Sequence, residues 1–479
     1  MMPLYPRPSA LILSLGLALP LGTSACKPKV LDVDTGHVGD DTGDTPLDTE
    51  DSTLPSAAFT ELSWRLHERY PSLVWVSWTQ DVAAEVHVEF RVSGDESWRS
   101  SPVIETPAGS VERLIAGIPY GVEADWRLVD DSELATDGPP IVTGPLPSGL
   151  PVAERMVARP DAWLESGNYL LCSINEQAGG WTGGTYWTFI VDRLGRPVWA
   201  QAAPDGNWTL FAQVALSGDH ILWDEATYWS RWDDGADSSV HRSWLDAEIE
   251  QISTPGLHHA FVQLPDEVLV WGSQDHGGGE ALVQRGPADL DETILWTCSE
   301  DWPGAGRCES NGLFWNPVTD TFLYSFYTNN SLVEVDHATG ASLWWAGMVR
   351  GGYTFDPSNS QFYWQHGVSW TNAGALLVST QTENGRGTTD VMEYEVDHDA
   401  HVLREIWTYR SGERADTNGD AWRLENGNTL HVIGSSGVLK EVDPAGEEVW
   451  TLDFKAEKLL GRGEFIEDLF PLLSPDAWH

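Results

Sequence analysis

The segments AWRLENGNTLHVIG (residues 421–434) and LKEVDPAGEEVWTLDF (residues 439–454) decide the fold. The first is a polar turn between two apolar runs. The second is an acidic turn that leads into a run carrying a tryptophan. Short apolar runs set off by Gly, Asn and Asp turns are the mark of strands, not helices. Copies of the first pattern recur as WLESGNYLLCSI, VALSGDHILWDE, HAFVQLPDEVLVWG, LFWNPVTDTFLYSF and VSWTNAGALLVST. The second recurs as FIVDRLGRPVWAQ, LVEVDHATGASLWWAG and YEVDHDAHVLREIWTY, with weaker copies in SWLDAEIEQIST and DLDETILWTC. The two halves interleave, six of each, between residues 152 and 479. Four strands in every unit of about 40–60 residues is the signature of a propeller blade. The expectation is an all-β chain with a six-bladed β-propeller over 152–479.

Ahead of the repeat, SLVWVSWTQ, AEVHVEFRV, SVERLIAGI and EADWRLV alternate apolar and polar residues between turn signals. This pattern predicts a small β-sandwich over 57–150. GIPYGVEADWRL resembles the later strands of fibronectin type III domains, and TGPLPSGLP closes the unit as a Pro/Gly linker. Residues 26–56 are low-complexity Asp, Thr and Gly with little to bury, which predicts a charge-extended tether. Residues 1–25 read as an export signal. Arg7 is the basic end, ALILSLGLALPL the apolar stretch, and GTSAC a small-residue cleavage site ending at Cys26. A cysteine directly after such a site resembles a lipoprotein signal. Cys26 is then the lipidated first residue of a protein anchored at the periplasmic or outer-membrane surface. Plain secretion is the alternative, because Thr23 stands where an aliphatic residue is usual.

The chain carries 73 Asp and Glu against 27 Lys and Arg, a formal charge of −46, and this repels phosphate backbones. No nucleic-acid partner is expected. Cys298 and Cys308 are close in sequence in an exported chain, which predicts a disulfide, whereas Cys172 lies in an apolar run and reads as a buried thiol. Neither a CxxC pair nor clustered Cys/His spacing occurs, so no structural metal is predicted.

In a propeller the innermost strand of each blade lines a channel, and its first residues face one mouth. Aligning the first pattern on its buried leucine puts His259, His366 and Asp420 ten residues before Leu269, Leu376 and Leu430. With a longer turn at NPVTD, the matching residue of the fourth copy is Asn311. Trp364 and Trp370 flank His366 and are candidates to stack on an aromatic ring. Polar residues in register also suit a structural channel filled with water.

HHAFVQLP, QHGVSW, NGLFWNPVTDTFLYSF and LENGNTLHVIGSSGVLKEVDPAGEEVWTLDF, with the closing RGEFIEDLFPLL, resemble the bacterial aryl-sulfate sulfotransferases (arylsulfotransferases) over essentially all of 152–479. The resemblance implies sulfuryl transfer from a small aromatic sulfate to a phenolic acceptor through a sulfohistidine, with no diffusible cofactor. It implies His366 as nucleophile and His259 as proton or hydrogen-bond donor to the bridging oxygen. His258 is the alternative inward-facing histidine, and Asn311 the group that holds a sulfate oxygen. Two positions depart from the family pattern. Glu309 stands where a histidine is usual, and Tyr327 where an arginine is usual. Both exchanges remove positive charge from a reaction that develops negative charge on sulfuryl oxygens. Two functions therefore remain open: an arylsulfotransferase-like enzyme, or a catalytically impaired surface propeller that binds a ligand or a protein.

Overall fold

The computed structural model describes residues 57–176, 184–204, 206–227, 238–274, 279–287, 291–455 and 458–478. The signal segment, Cys26 and the acidic tether lie outside the described residues. Over the described residues the protein is all-β, and its helices are single turns.

The N-terminal part folds as two facing sheets. Phe59–Leu66, Val74–Gln80 and Gly109–Ile115 pair in that order. Ala84–Val92 and Glu123–Asp130 form the middle of the other sheet, flanked by Arg99–Ser100, Ile104–Thr106, Ala135–Asp137 and Ile141–Val142. The alternation in sequence becomes an alternation in space. Val74, Val76 and Trp78 face inward from one sheet, Val86, Val88 and Phe90 from the other, and all are buried. Trp126 is buried among them and its Nε1–H donates to the Pro139 carbonyl at 2.8 Å, which satisfies the indole where water does not reach.

The rest of the described chain forms six further sheets. The first is Pro197–Ala202, Tyr186–Asp192, Tyr169–Asn175 and Leu459–Ile466, in spatial order. The second runs Ala212–Val214, Ile221–Glu225, Ser239–Ser243, Glu248–Ser253, and the third Leu257–Gln263, Leu269–Ser273, Ala281–Arg285, Thr293–Thr297. The fourth runs Ser310–Asn316, Thr321–Phe326, Ser331–Asp336, Ser342–Gly347. The fifth runs Val368–Trp370, Leu376–Gln381, Thr389–Asp397, Val402–Tyr409, and Thr354–Asp356 adds to its outer edge in parallel. The sixth runs Asp420–Arg423, Thr429–Ile433, Val438–Val442, Glu448–Asp453, with Glu154–Ala158 outermost. Central strands such as Tyr169–Asn175 and Tyr186–Asp192 are buried along their whole length, because each sheet is covered on both faces. The inner-edge strands of five sheets meet around a common cavity, and that of the fifth borders a narrow throat above it.

The first sheet differs from the simple repeat. In WLESGNYLLCSI the residues before the turn form no strand, and the inner position is taken by Leu459–Ile466 from the C-terminal end. Closing the set of sheets with the far end of the chain leaves no free edge there. Arg193 braces this junction. Its guanidinium donates to the Gly167 and Leu164 carbonyls and to Glu441 of the sixth sheet, at 2.7 Å for the carboxylate. Trp450 Nε1–H donates back to the Arg193 carbonyl at 2.9 Å.

The N-terminal sheets share one core with the outer part of the first sheet and the C-terminal segment, where Tyr70 packs on Trp199 with centroids 5.6 Å apart. Tyr70 Oη–H also donates to Gln201 at 2.7 Å. Cys298 and Cys308 form the expected disulfide, and Cys172 is a buried thiol. A disulfide is compatible with export. Among the described residues no helix is long and apolar enough to cross a membrane.

Candidate functional site

Backbone irregularity sets the site apart from the regular sheets. In Leu257–Gln263 the pairing shifts between Leu257 and Phe261, and His259 there has φ of 67°. In Ser310–Asn316 the shift falls between Ser310 and Gly312, so Asn311 is the extra residue. In the closing strand it falls between the partners of Cys172 and Ile174, where Gly461 and Arg462 face the single Ser173. A bulge bends a strand and re-aims its side chain, and here three inner strands bulge at the residues that matter.

His366 lies just ahead of Val368–Trp370. Its N–H donates to the Ser379 carbonyl at 3.1 Å, which extends the strand pairing to this residue. A carbonyl oxygen only accepts, so the contact of His366 Nδ1 with the Trp364 carbonyl at 2.9 Å places the ring proton on Nδ1. Nε2 then carries the lone pair, and it makes no hydrogen bond among the described residues. Burial lowers the imidazole to about 4, with the Trp364 carbonyl pulling weakly the other way. The ring is therefore neutral at pH 7. It borders the throat together with Gly312, Gly419, Asp420, Trp422 and Arg462.

Asn311 is buried and both ends of its amide are engaged. Nδ2–H donates to the Gln365 carbonyl, and Oδ1 accepts from Ser325 Oγ at 3.1 Å. Asn311 thus holds the backbone immediately before His366. Gln365 is anchored further by Nε2 bonds to the Phe326 and Ser331 carbonyls at 3.1 and 2.9 Å. Gly312 allows this close approach, because a Cβ there would stand 2.4 Å from the His366 carbonyl oxygen.

Asp420 reaches the throat by a different register from that expected. The last pairs before the turns are Gln263–Leu269, Trp370–Leu376 and Arg423–Thr429. Asp420 is therefore one residue nearer its turn than His259 and His366 are to theirs, and its counterpart in the fifth sheet is Gly367. A Cβ at Gly367 would lie 2.5 Å from Asp420 Oδ1. Asp420 accepts from Ala421 N–H at 2.9 Å and Trp422 Nε1–H at 2.8 Å, and pairs with Arg462 Nε at 3.4 Å. Burial pushes its carboxyl up to about 6 against the pull of Arg462.

Glu309 and Tyr327, the two departures from the family pattern, bind each other. The Tyr327 hydroxyl donates to Glu309, and Arg307 pairs with the other carboxylate oxygen. Tyr327 leans on Trp364 with centroids 5.9 Å apart, and the Trp364 indole is 43% exposed. This row leads from the disulfide loop to the His366 segment. Trp370 does not join it, since its ring packs against Trp344 at 6.2 Å in the core between the fourth and fifth sheets. His259 is buried with its ring edge-on to Trp208, 6.1 Å away. The side chain of His258 lies outside the described residues.

Arg462 went unnoticed in the sequence. Its guanidinium lies 4.2 Å over the Trp422 ring, and burial lowers its pKa, offset by Asp420 and Glu464. The signal available was an arginine between two glycines, GRG, in the terminal apolar run of an acidic chain. A Cβ at Gly461 would stand 1.9 Å from the Leu210 carbonyl oxygen, so the glycine lets the two inner strands meet. Arg350 and Arg386, the arginines of Gly-containing loops in the same part of the sequence that could replace the missing cation, are both exposed. No residue of 57–150 lines the throat or the cavity below it among the described residues.

Fold and site together define an all-β protein with a neutral histidine and a buried Arg–Asp pair at one end of a channel. No family model matches the chain, and no curated protein matches it. Among solved structures it is similar to TolB from Acinetobacter baumannii, at 10% identity over 72% of this chain and 79% of that one, TM-score 0.40. It is also similar to a putative 6-phosphogluconolactonase from Bacteroides uniformis, at 11% identity over 81% of this chain and 100% of that one, TM-score 0.40. A protein of unknown function from Bacteroides caccae is similar at 14% identity over 59% of this chain and 93% of that one, TM-score 0.40.

Proposed function

We propose that the protein is an exported six-bladed propeller of the arylsulfotransferase type, carried on a fibronectin-type-III-like sandwich and tethered through a lipidated Cys26. Six sheets with a C-terminal strand completing the first support the blade count. The strand order of the two N-terminal sheets supports the sandwich assignment. The observation that carries the chemistry is the tautomer of His366, with Nδ1–H fixed on a carbonyl and a neutral Nε2 bordering the throat.

In this reading Nε2 attacks the sulfur of an aryl sulfate. The sulfur–oxygen bond to the ring breaks and its electron pair leaves with the phenolate. A phenolic oxygen then attacks the sulfohistidine, the nitrogen–sulfur pair returns to Nε2, and the phenol proton goes to the released phenolate. Two displacements replace one difficult transfer. Asn311 acts as a positioning residue through the Gln365 carbonyl, and Arg462 is the cation that borders the same throat as His366. Charge also favours the second reading, a binding module. Arg462 is matched by Asp420 and Arg307 by Glu309, so neither cation is uncompensated.

The test is 4-nitrophenyl sulfate with excess phenol, following nitrophenolate release and the mass of the peptide carrying His366. Release that needs phenol, a sulfonated His366 and loss of both in His366→Ala are expected. Absence of turnover and of sulfohistidine refutes the enzyme. Activity that appears only in Glu309→His/Tyr327→Arg shows that the natural protein is not a working transferase and favours the binding module.

A further inference from the structure

A cavity of about 500 Å3, within the range of small-molecule sites, shares Trp422 and Arg462 with the throat at His366 but is not lined by His366. We infer that this cavity binds an arylalkylamine bearing one positive charge on its amine, held by Glu464 among the rings of Phe314, Trp315 and Trp422.

The apolar part is built by the C-terminal ends of inner strands. Phe314 and Trp315 come from the fourth sheet, Trp422 from the sixth, and Val262 from the third. The indole of Trp422 is fixed by Asp420, with the Arg462 guanidinium over its ring and Phe314 tilted against it at 6.0 Å. The polar part is unbalanced. Glu464 Oε2 accepts from Val214 N–H at 2.9 Å, while Oε1 makes no hydrogen bond among the described residues. Burial raises the Glu464 carboxyl, with Val214 N–H and Arg462 pulling it back. When both carboxyls are ionised, Asp420 and Glu464 share the single guanidinium of Arg462, one negative charge more than it balances. Arg423, the other lining cation, is committed to Glu393 and to the Gly427 carbonyl and Thr429 hydroxyl. A half-buried carboxylate that has lost part of its hydration gains when a counter-charge joins it. A protonated amine on Glu464 Oε1 supplies that charge and leaves its ring on the aromatic wall. Glu425 and Glu467, also on the lining, carry the same sign and attract cations to it. This site is separate from the sulfuryl chemistry proposed at His366 and does not rest on it.

Isothermal titration of the full chain with phenethylamine, 2-phenylethanol, phenylacetate and phenylalanine tests the inference. Phenethylamine is expected to bind at least about tenfold tighter than 2-phenylethanol, as a charge-assisted hydrogen bond requires, and phenylacetate not at all. Glu464→Gln keeps an acceptor for Val214 N–H and is expected to erase the tenfold preference with an unchanged melting curve. His366→Ala is expected to leave the affinity as it was. No saturable binding of phenethylamine, equal binding of the alcohol, or tighter binding of phenylacetate or phenylalanine overturns the assignment. So does an unaffected Glu464→Gln, while loss of binding in His366→Ala moves the ligand to the throat and overturns it equally.

Discussion

Replacing Arg193 by methionine tests how the first and sixth sheets are held together. Glu441 is fully buried and accepts from Leu164 N–H at 2.7 Å and Asn428 Nδ2–H at 2.8 Å, besides Arg193. Methionine fills the space between Trp163, Trp450 and Phe465, where the guanidinium now stacks, but it strands the carboxylate. Removing one partner of a buried pair costs about 3–5 kcal/mol, because the other charge stays buried and uncompensated. Arg193→Met is therefore expected to lower unfolding free energy by that amount. Glu441→Gln alone also destabilises, since it turns an acceptor of the guanidinium into a donor facing it. In Arg193→Met/Glu441→Gln the stranded charge is gone, so the double mutant is expected to be less destabilised than the sum of the two, with a coupling of about 1–3 kcal/mol. Urea unfolding followed by tryptophan fluorescence measures all four proteins. A loss below about 1 kcal/mol in Arg193→Met, or strict additivity, refutes the claim that this ion pair braces the junction.

Three further outcomes are expected. Burial raises Glu280 to about 7, where it accepts from Ser310, Tyr324 and Gln274. Its stabilising contribution is complete below the unfolded value of 4.5 and is lost as pH rises through 7. The melting temperature of Glu280→Gln should thus vary less between those limits than that of the parent, and equal slopes would sink the assignment. Acylation of His366 by diethyl pyrocarbonate needs the neutral ring, so with its pKa near 4 the residue should still react at pH 5, where exposed histidines are mostly protonated. A reaction that falls away through pH 6.5 would contradict the buried environment. Gly312→Ala puts a Cβ 2.4 Å from the His366 carbonyl and should cost about 1–3 kcal/mol by overpacking. Thermal melts should register it, and an unchanged melting temperature would mean the two segments are not in contact.

Much of the architecture was readable in the chain because sheets carry a local code. Polar turns between apolar runs marked Ser310–Asn316 with Thr321–Phe326 and Asp420–Arg423 with Thr429–Ile433 as hairpins. The failures lie where the chain meets itself at long range. WLESGNYLLCSI looked like a complete half-repeat, yet its inner strand comes from Leu459–Ile466. Trp370 looked like a neighbour of the throat, but it packs on Trp344 in the core. The leucine alignment put Asp420 in register with His366, and the paired turns shift it by one residue.

The sequence by itself determined the all-β class, the recurring turn-and-strand units and the disulfide partners. These follow from period, turn chemistry and spacing, which act over a few residues. Only the tertiary structure decided what surrounds His366: the Trp364 carbonyl on Nδ1, Asn311 behind Gln365, and Arg462 beside Asp420. Those contacts depend on bulges and on strands brought together from distant parts of the chain. A bulge shifts a side chain without altering the composition that predicts the strand, and a charge is matched or unmatched only once its neighbours in space are known.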